Sequence, residues 1–189
     1  MRVTFERPRD HERGTALIER DDGVVYRMDG GPVTGAEIPH DLIHFETERT
    51  LGMSDGVWGA IASGVVFRSM RHVGGRRPPH AAERSHALVR AHRDALRRAE
   101  LAGGVVERLL STAEPTPEVR DAIAVMLGGL PDLDLIAARR AAEAVREAGA
   151  RWSALPVGAG LVLDWPARLR LPAAAARPGR DRRPATRRR

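Results

Sequence analysis

The sequence predicts an α+β domain: a small antiparallel sheet, from an N-terminal hairpin plus a C-terminal strand, packed with about five helices. Three observations predict it. Strand-like alternation fills the first 28 residues, helical periodicity fills most of residues 39–148, and a short apolar run returns at Leu161. After Pro166 the composition turns to alanine, proline and arginine, which predicts a single domain over residues 1–166 and a disordered arginine-rich tail over 167–189.

The elements follow in order. Arg2-Val-Thr-Phe-Glu6 alternates and is stopped by Pro8. Residues 15–20 and 24–28 flank Asp21-Asp22-Gly23, and Asp-Gly between apolar runs marks a hairpin because both residues tolerate positive φ. Gly30, Gly31, Pro32 and Gly35 are expected to break the sheet. Pro39 opens a helix, because its fixed φ suits a first turn, and Gly52 closes it. Ser54 is placed to cap a second helix carrying Val57, Trp58, Ile61, Val65 and Phe67. Residues 74–79 are a loop, and 81–110 a long helical stretch with a break expected at Gly103-Gly104. Helices over 118–127 and 132–148 follow, the second ended by Gly149. Residues 161–165 form the last strand, placed to pair with the N-terminal strands.

A chain of 189 residues buries roughly 70% of its unfolded surface without help from a disulfide or metal. It has no cysteine, which excludes disulfides, thiolate metal sites and a cysteine nucleophile. The first ten residues are charged and lack the apolar core of a signal peptide, so a cytoplasmic location is expected. No run approaches the roughly 18 apolar residues that span a membrane. All 31 basic residues are arginine. Residues 168–189 hold nine arginines and one acid, a charge of +8, while residues 1–167 hold 22 arginines and 24 acids, a charge of −2. The basic character belongs to the tail, which reads either as a terminus drifted to arginine under composition bias or as a segment that meets an acidic partner or nucleic acid phosphates.

One segment carries a chemical signal: Pro39-His40-Asp41-Leu42-Ile43-His44. At about 100° per residue, with His40 at zero, His44 falls at about 40°, Glu48 at about 80° and Asp41 at about 100°. Imidazoles at i and i+4 are neighbours on a helix and can grip one metal ion. Leu42, Ile43, Phe45 and Leu51 are spread around the axis, so the helix is expected to be largely buried. A catalytic zinc site has three protein ligands plus water. Glu48, one turn on, is the first candidate for the third, with His72, His80, His86 and His92 as alternatives.

The segment resembles the helix of the zincin metallopeptidases, in which His-Glu-x-x-His binds zinc and the Glu is general base. The resemblance covers five residues. It implies His40 and His44 as Zn²⁺ ligands and Asp41 in the place of the base, with a carboxylate one methylene shorter than the family's. The same segment, with Glu48, Gly52, Trp58 and Trp165-Pro166, is similar to a family of small uncharacterised bacterial proteins sharing a Pro-His-Asp-x-x-His core. That likeness implies a domain boundary near Pro166 and no mechanism.

Other chemistries lack their motifs. There is no Gly-Lys-Ser/Thr phosphate loop, and Gly158-Ala159-Gly160 precedes a strand. Aromatic residues are 4% of the chain, too few for a stacking surface that binds single strands. Two function classes follow. One is a metal-binding protein with zincin-like hydrolase chemistry. The other is a non-catalytic structural or interaction protein whose His/Asp cluster serves the packing and whose tail contacts an acidic partner or nucleic acid.

Overall fold

The structure is a computed structural model that describes residues 1–8, 13–32, 38–111 and 116–171. The expected tail lies almost wholly outside the described residues. Strands β1 (Arg2–Glu6), β2 (Arg13–Glu19) and β3 (Val25–Pro32) come first, then helices α1 (His40–Leu51) and α2 (Val57–Ala62). Strand β4 (Met70–Gly74) follows, then α3 (Ala81–Ala91), α4 (Arg93–Ser111), α5 (Pro117–Gly128), α6 (Leu135–Ser153) and β5 (Gly160–Asp164).

The five strands form one antiparallel sheet in the order β4-β3-β2-β1-β5. The hairpin turns at Gly23, whose φ of 78° needs no Cβ to be accommodated, and Asp22 Oδ1 accepts the Val24 N–H. The last strand pairs with the first, Val3 opposite Leu163 and Phe5 opposite Leu161. Alternation then sorts the faces. Val3, Phe5, Ile18, Tyr26, Met28, Leu161 and Leu163 are buried, and the residues between them point the other way.

Helix α1 is the centre of the helical layer. It packs on β2 and β3 and also on α2, α4 and α6. Phe45 on α1 stands edge-on to Phe5, Trp58 and Trp165, with centroids 5.4, 5.1 and 5.2 Å apart. These rings join β1, α1, α2 and the segment after β5. All three tryptophans are buried.

The structure departs from the sequence reading in five places. Strand β3 continues through Gly30, Gly31 and Pro32, because a bare Gly30 lets the Gly14 carbonyl and the Asp41 carboxylate come close. Helix α2 ends at Ala62, and Gly64 turns away at φ 111°, so Val65 and Phe67 lie beyond it. Residues 70–74 form an edge strand. The long helical stretch breaks at His92, whereas Gly103 and Gly104 lie inside α4. Helix α6 runs through Gly149, where a Cβ would sit 2.6 Å from Ile38 Cδ1.

Past Pro166 the chain stays packed on the body as far as Leu171. Leu169 and Leu171 are buried, and the Leu171 N–H donates to Ser63 Oγ at 2.9 Å. Asp21 pairs with both the terminal ammonium of Met1 and the Arg170 guanidinium. Among the described residues no helix is long and apolar enough to cross a membrane.

Candidate functional site

Helix α1 begins after Pro39 (φ −56°) and ends at Gly52, which adopts φ 71° and donates to the Arg49 and Glu48 carbonyls. Gly14 and Gly30 let its first turn lie against the sheet: a Cβ on Gly14 would sit 3.0 Å from Pro39 Cβ. Residues 42–48 are buried without interruption. Four of the five buried polar residues among those described, His44, Glu46, Thr47 and Glu48, therefore sit on this one helix.

The four residues singled out by the sequence do not converge. The His40 and His44 rings are neighbours, centroids 4.5 Å apart and tilted by 54°. The other two face different elements, although Glu48 Oε1 stays 3.9 Å from His44 Nδ1. Asp41 is turned to the sheet, where its Oδ2 would lie 2.7 Å from a Cβ on Gly30. Glu48 is turned to α2. A helical wheel suppresses the rise along the axis, and eight residues at 1.5 Å each put His40 and Glu48 about 12 Å apart in that direction.

Glu48 is fully buried and spends both oxygens on one task. Oε1 accepts the Val57 N–H at 3.0 Å and Oε2 the Trp58 N–H at 2.9 Å. These are the first amides of α2, which has no capping side chain at Gly56. Gly56 makes the approach feasible, since a Cβ there would be 2.4 Å from Glu48 Oε2. Glu48 thus does what the sequence assigned to Ser54. Burial pushes its pKa up to about 8, against the pull of the two amides and with help from the charges of Glu100 and Asp55.

His44 lies flat on a glycine. A Cβ on Gly103 would be 2.5 Å from its Cε1 and 2.8 Å from its Nε2. Nδ1 has no hydrogen-bond partner, standing 3.9 Å from Glu48 Oε1, and Nε2 is 3.7 Å from Glu100 Oε2. Burial, and then the charge of His40, push its pKa down to about 4, so the ring is neutral at neutral pH. Glu46, on another side of the helix, accepts from Arg49 at 2.6 Å.

A zinc site built from His40, His44 and Glu48 does not fit this donor set. A ligating carboxylate must present a free anionic oxygen. Both oxygens of Glu48 are taken by amides, and burial pushes its pKa up, which works against an anionic ligand here. His72, His80, His86 and His92 lie on β4, α3 and the segments beside them. Among the described residues no group of three or more His, Asp and Glu side chains is arranged to hold a metal ion.

Of the other residues of this site, Glu100 is not singled out by the sequence, Gly103 reads there as a helix break, and Gly56 reads as a small position on the second helix. Gly103 carried a readable signal. It continues the small buried positions Ala95, Ala99 and Ala102 along α4, the mark of a close approach. No family model matches the chain, no curated protein matches it, and no solved structure matches it.

Proposed function

We propose that this is a non-catalytic binding protein. Its α1 polar cluster holds the helices together, and its arginine-rich C-terminal segment contacts nucleic acid phosphates. The observation that carries the first half is the double capping of Val57 and Trp58 by Glu48, which gives that carboxylate a structural task. The second half is supported by charge: residues 172–189 hold seven arginines against one aspartate. The test is binding of the chain to a labelled duplex DNA, followed by fluorescence anisotropy in rising salt. The parent is expected to bind at low salt and weaken steeply. Replacing Arg177, Arg180, Arg182, Arg183, Arg187, Arg188 and Arg189 by Gln is expected to lower affinity at least about tenfold. No binding by the parent at low salt would sink the reading.

A second reading keeps His40 and His44 as a pair of Zn²⁺ ligands. It is supported by the 4.5 Å ring spacing and by the unpartnered Nδ1 of His44. Zinc content separates the two readings.

A further inference from the structure

The near-neutral body conceals a division of charge. Residues 68–98 hold nine arginines and two acids, Glu83 and Asp94, a charge of +7. The rest of residues 1–171 holds 15 arginines and 22 acids, a charge of −7. The basic stretch is one continuous piece of the fold: β4, the loop after it, α3 and the first turn and a half of α4.

Eight of its nine arginines are exposed and have no ion pair among the described residues. Arg76 and Arg77 on the loop, Arg84 and Arg90 on α3, and Arg93 and Arg97 on α4 all face solvent. Among the described residues none of the six has a carboxylate within ion-pair distance, and of the arginines in this stretch Arg98 alone has one, pairing with Asp55 at 3.2 Å. Arg93 and Arg97 are one turn apart, a spacing at which like charges repel. The fold gains nothing from gathering these cations, whereas a polyanion would relieve their repulsion.

The stretch is also held in shape. Pro78-Pro79 fixes two φ angles, and His80 is held at φ 53°, the only positive φ at a non-glycine among the described residues. Leu88, Val89 and Leu96 pack on the small cluster of Ala60, Val65 and Leu171. Ser85 binds α3 to the preceding segment, accepting the Val66 N–H at 2.9 Å. A surface fixed before binding loses less conformational freedom on binding.

We propose that residues 68–98 form a second nucleic-acid surface, on the folded body, that contacts the phosphate backbone of a duplex. A duplex is favoured over a single strand because the stretch contains no Phe, Tyr or Trp on which bases could stack. The proposal shares its partner class with the reading above and places a separate set of contacts on a different part of the chain.

The test replaces Arg76, Arg77, Arg84 and Arg90 together by Gln, and separately by Lys, in the complete chain. Duplex DNA binding is measured by anisotropy across a salt series, beside the tail variant described above. Each phosphate contact contributes about 0.9 to the slope of log K against log salt, so the Gln variant is expected to lose about 3 to 4 units of slope and at least tenfold in affinity. The Lys variant keeps the charges and is expected to retain most of both. An unchanged slope in the Gln variant overturns this inference, and a weakened tail variant would then leave the broader reading standing. Equal loss in the Gln and Lys variants also overturns it. Absence of binding by the parent overturns both.

Discussion

Two histidine-bearing stretches of this chain are used in opposite ways. Helix α1 carries His40 and His44 and buries four of its eight polar residues, leaving the others half-buried. Residues 68–98 carry His72, His80, His86 and His92 among nine arginines and leave most of them in water. The residue types overlap, and the difference lies in what surrounds them. Around α1, glycines at 30, 56 and 103 clear space for Asp41, Glu48 and His44 in turn. Around residues 76–97 nothing is cleared and few acids are offered. A polar side chain becomes structural where neighbouring backbone is bare enough to receive it, and a surface group where it is not.

That comparison predicts a steep gradient in stability effects. The largest belongs to Glu48→Ala. It leaves the Val57 and Trp58 amides buried without an acceptor and opens a cavity, for a loss of about 3–5 kcal/mol in urea denaturation. A loss under about 1 kcal/mol would mean that α2 does not depend on this cap.

Next comes Gly103→Ala, which drives a methyl into the His44 ring and is expected to lose about 1–3 kcal/mol. In a His44→Ala background the same substitution should be nearly neutral, so a double-mutant cycle should return a coupling of that size. Additive losses would break the account of His44 as a ring seated on Gly103.

The pH dependence sharpens the pair further. The folded pKa of Glu48, about 8, lies above its ordinary 4.5, so its contribution is full below 4.5 and is lost as pH rises through about 8. The folded pKa of His44, about 4, lies below its ordinary 6.5, so its contribution is full above 6.5 and is lost as pH falls through about 4. Between pH 4.5 and 6.5 the two slopes cancel. In thermal melts, the Tm difference between the parent and Glu48→Gln should shrink from pH 6.5 to 8, and that between the parent and His44→Ala should shrink below pH 6.5. A Glu48→Gln difference constant from pH 6.5 to 8 would contradict the burial assigned to this carboxyl.

The smallest effect is expected on the other side of the comparison. Arg84→Gln and Arg90→Gln remove exposed, unpaired charges and should change stability by less than about 0.5 kcal/mol each. A larger loss would place them in the packing.

Much of the fold was legible because its signals are local. Asp22-Gly23 makes the turn, Pro39 and Gly52 bracket α1, and Leu161 to Trp165 alternates as an edge strand does. Strand β4 escaped because Met70-Arg-His-Val-Gly74 is short and mostly exposed, so burial leaves no alternation in its sequence. At the site, the neighbourhood of His40 and His44 was readable from i, i+4 spacing. The roles of Asp41 and Glu48 were not, because each is decided by a glycine on another element. Gly30 reads as a break in the sheet and Gly56 as a small position on the second helix, and neither names the carboxylate that it receives in the fold. The basic stretch was hidden by a sum: acids elsewhere in residues 1–171 cancel it, and only the exposure and lack of partners of its arginines reveal it.

The measurement that bears most directly on the central claim is zinc content by mass spectrometry, on protein purified without a histidine tag and incubated with zinc, beside its His44→Ala variant. If the polar cluster of α1 belongs to the packing, the folded parent carries no zinc that depends on His44, and the variant differs from it only in stability. Near-stoichiometric zinc in the parent, lost in His44→Ala, would contradict that and establish a metal centre on α1.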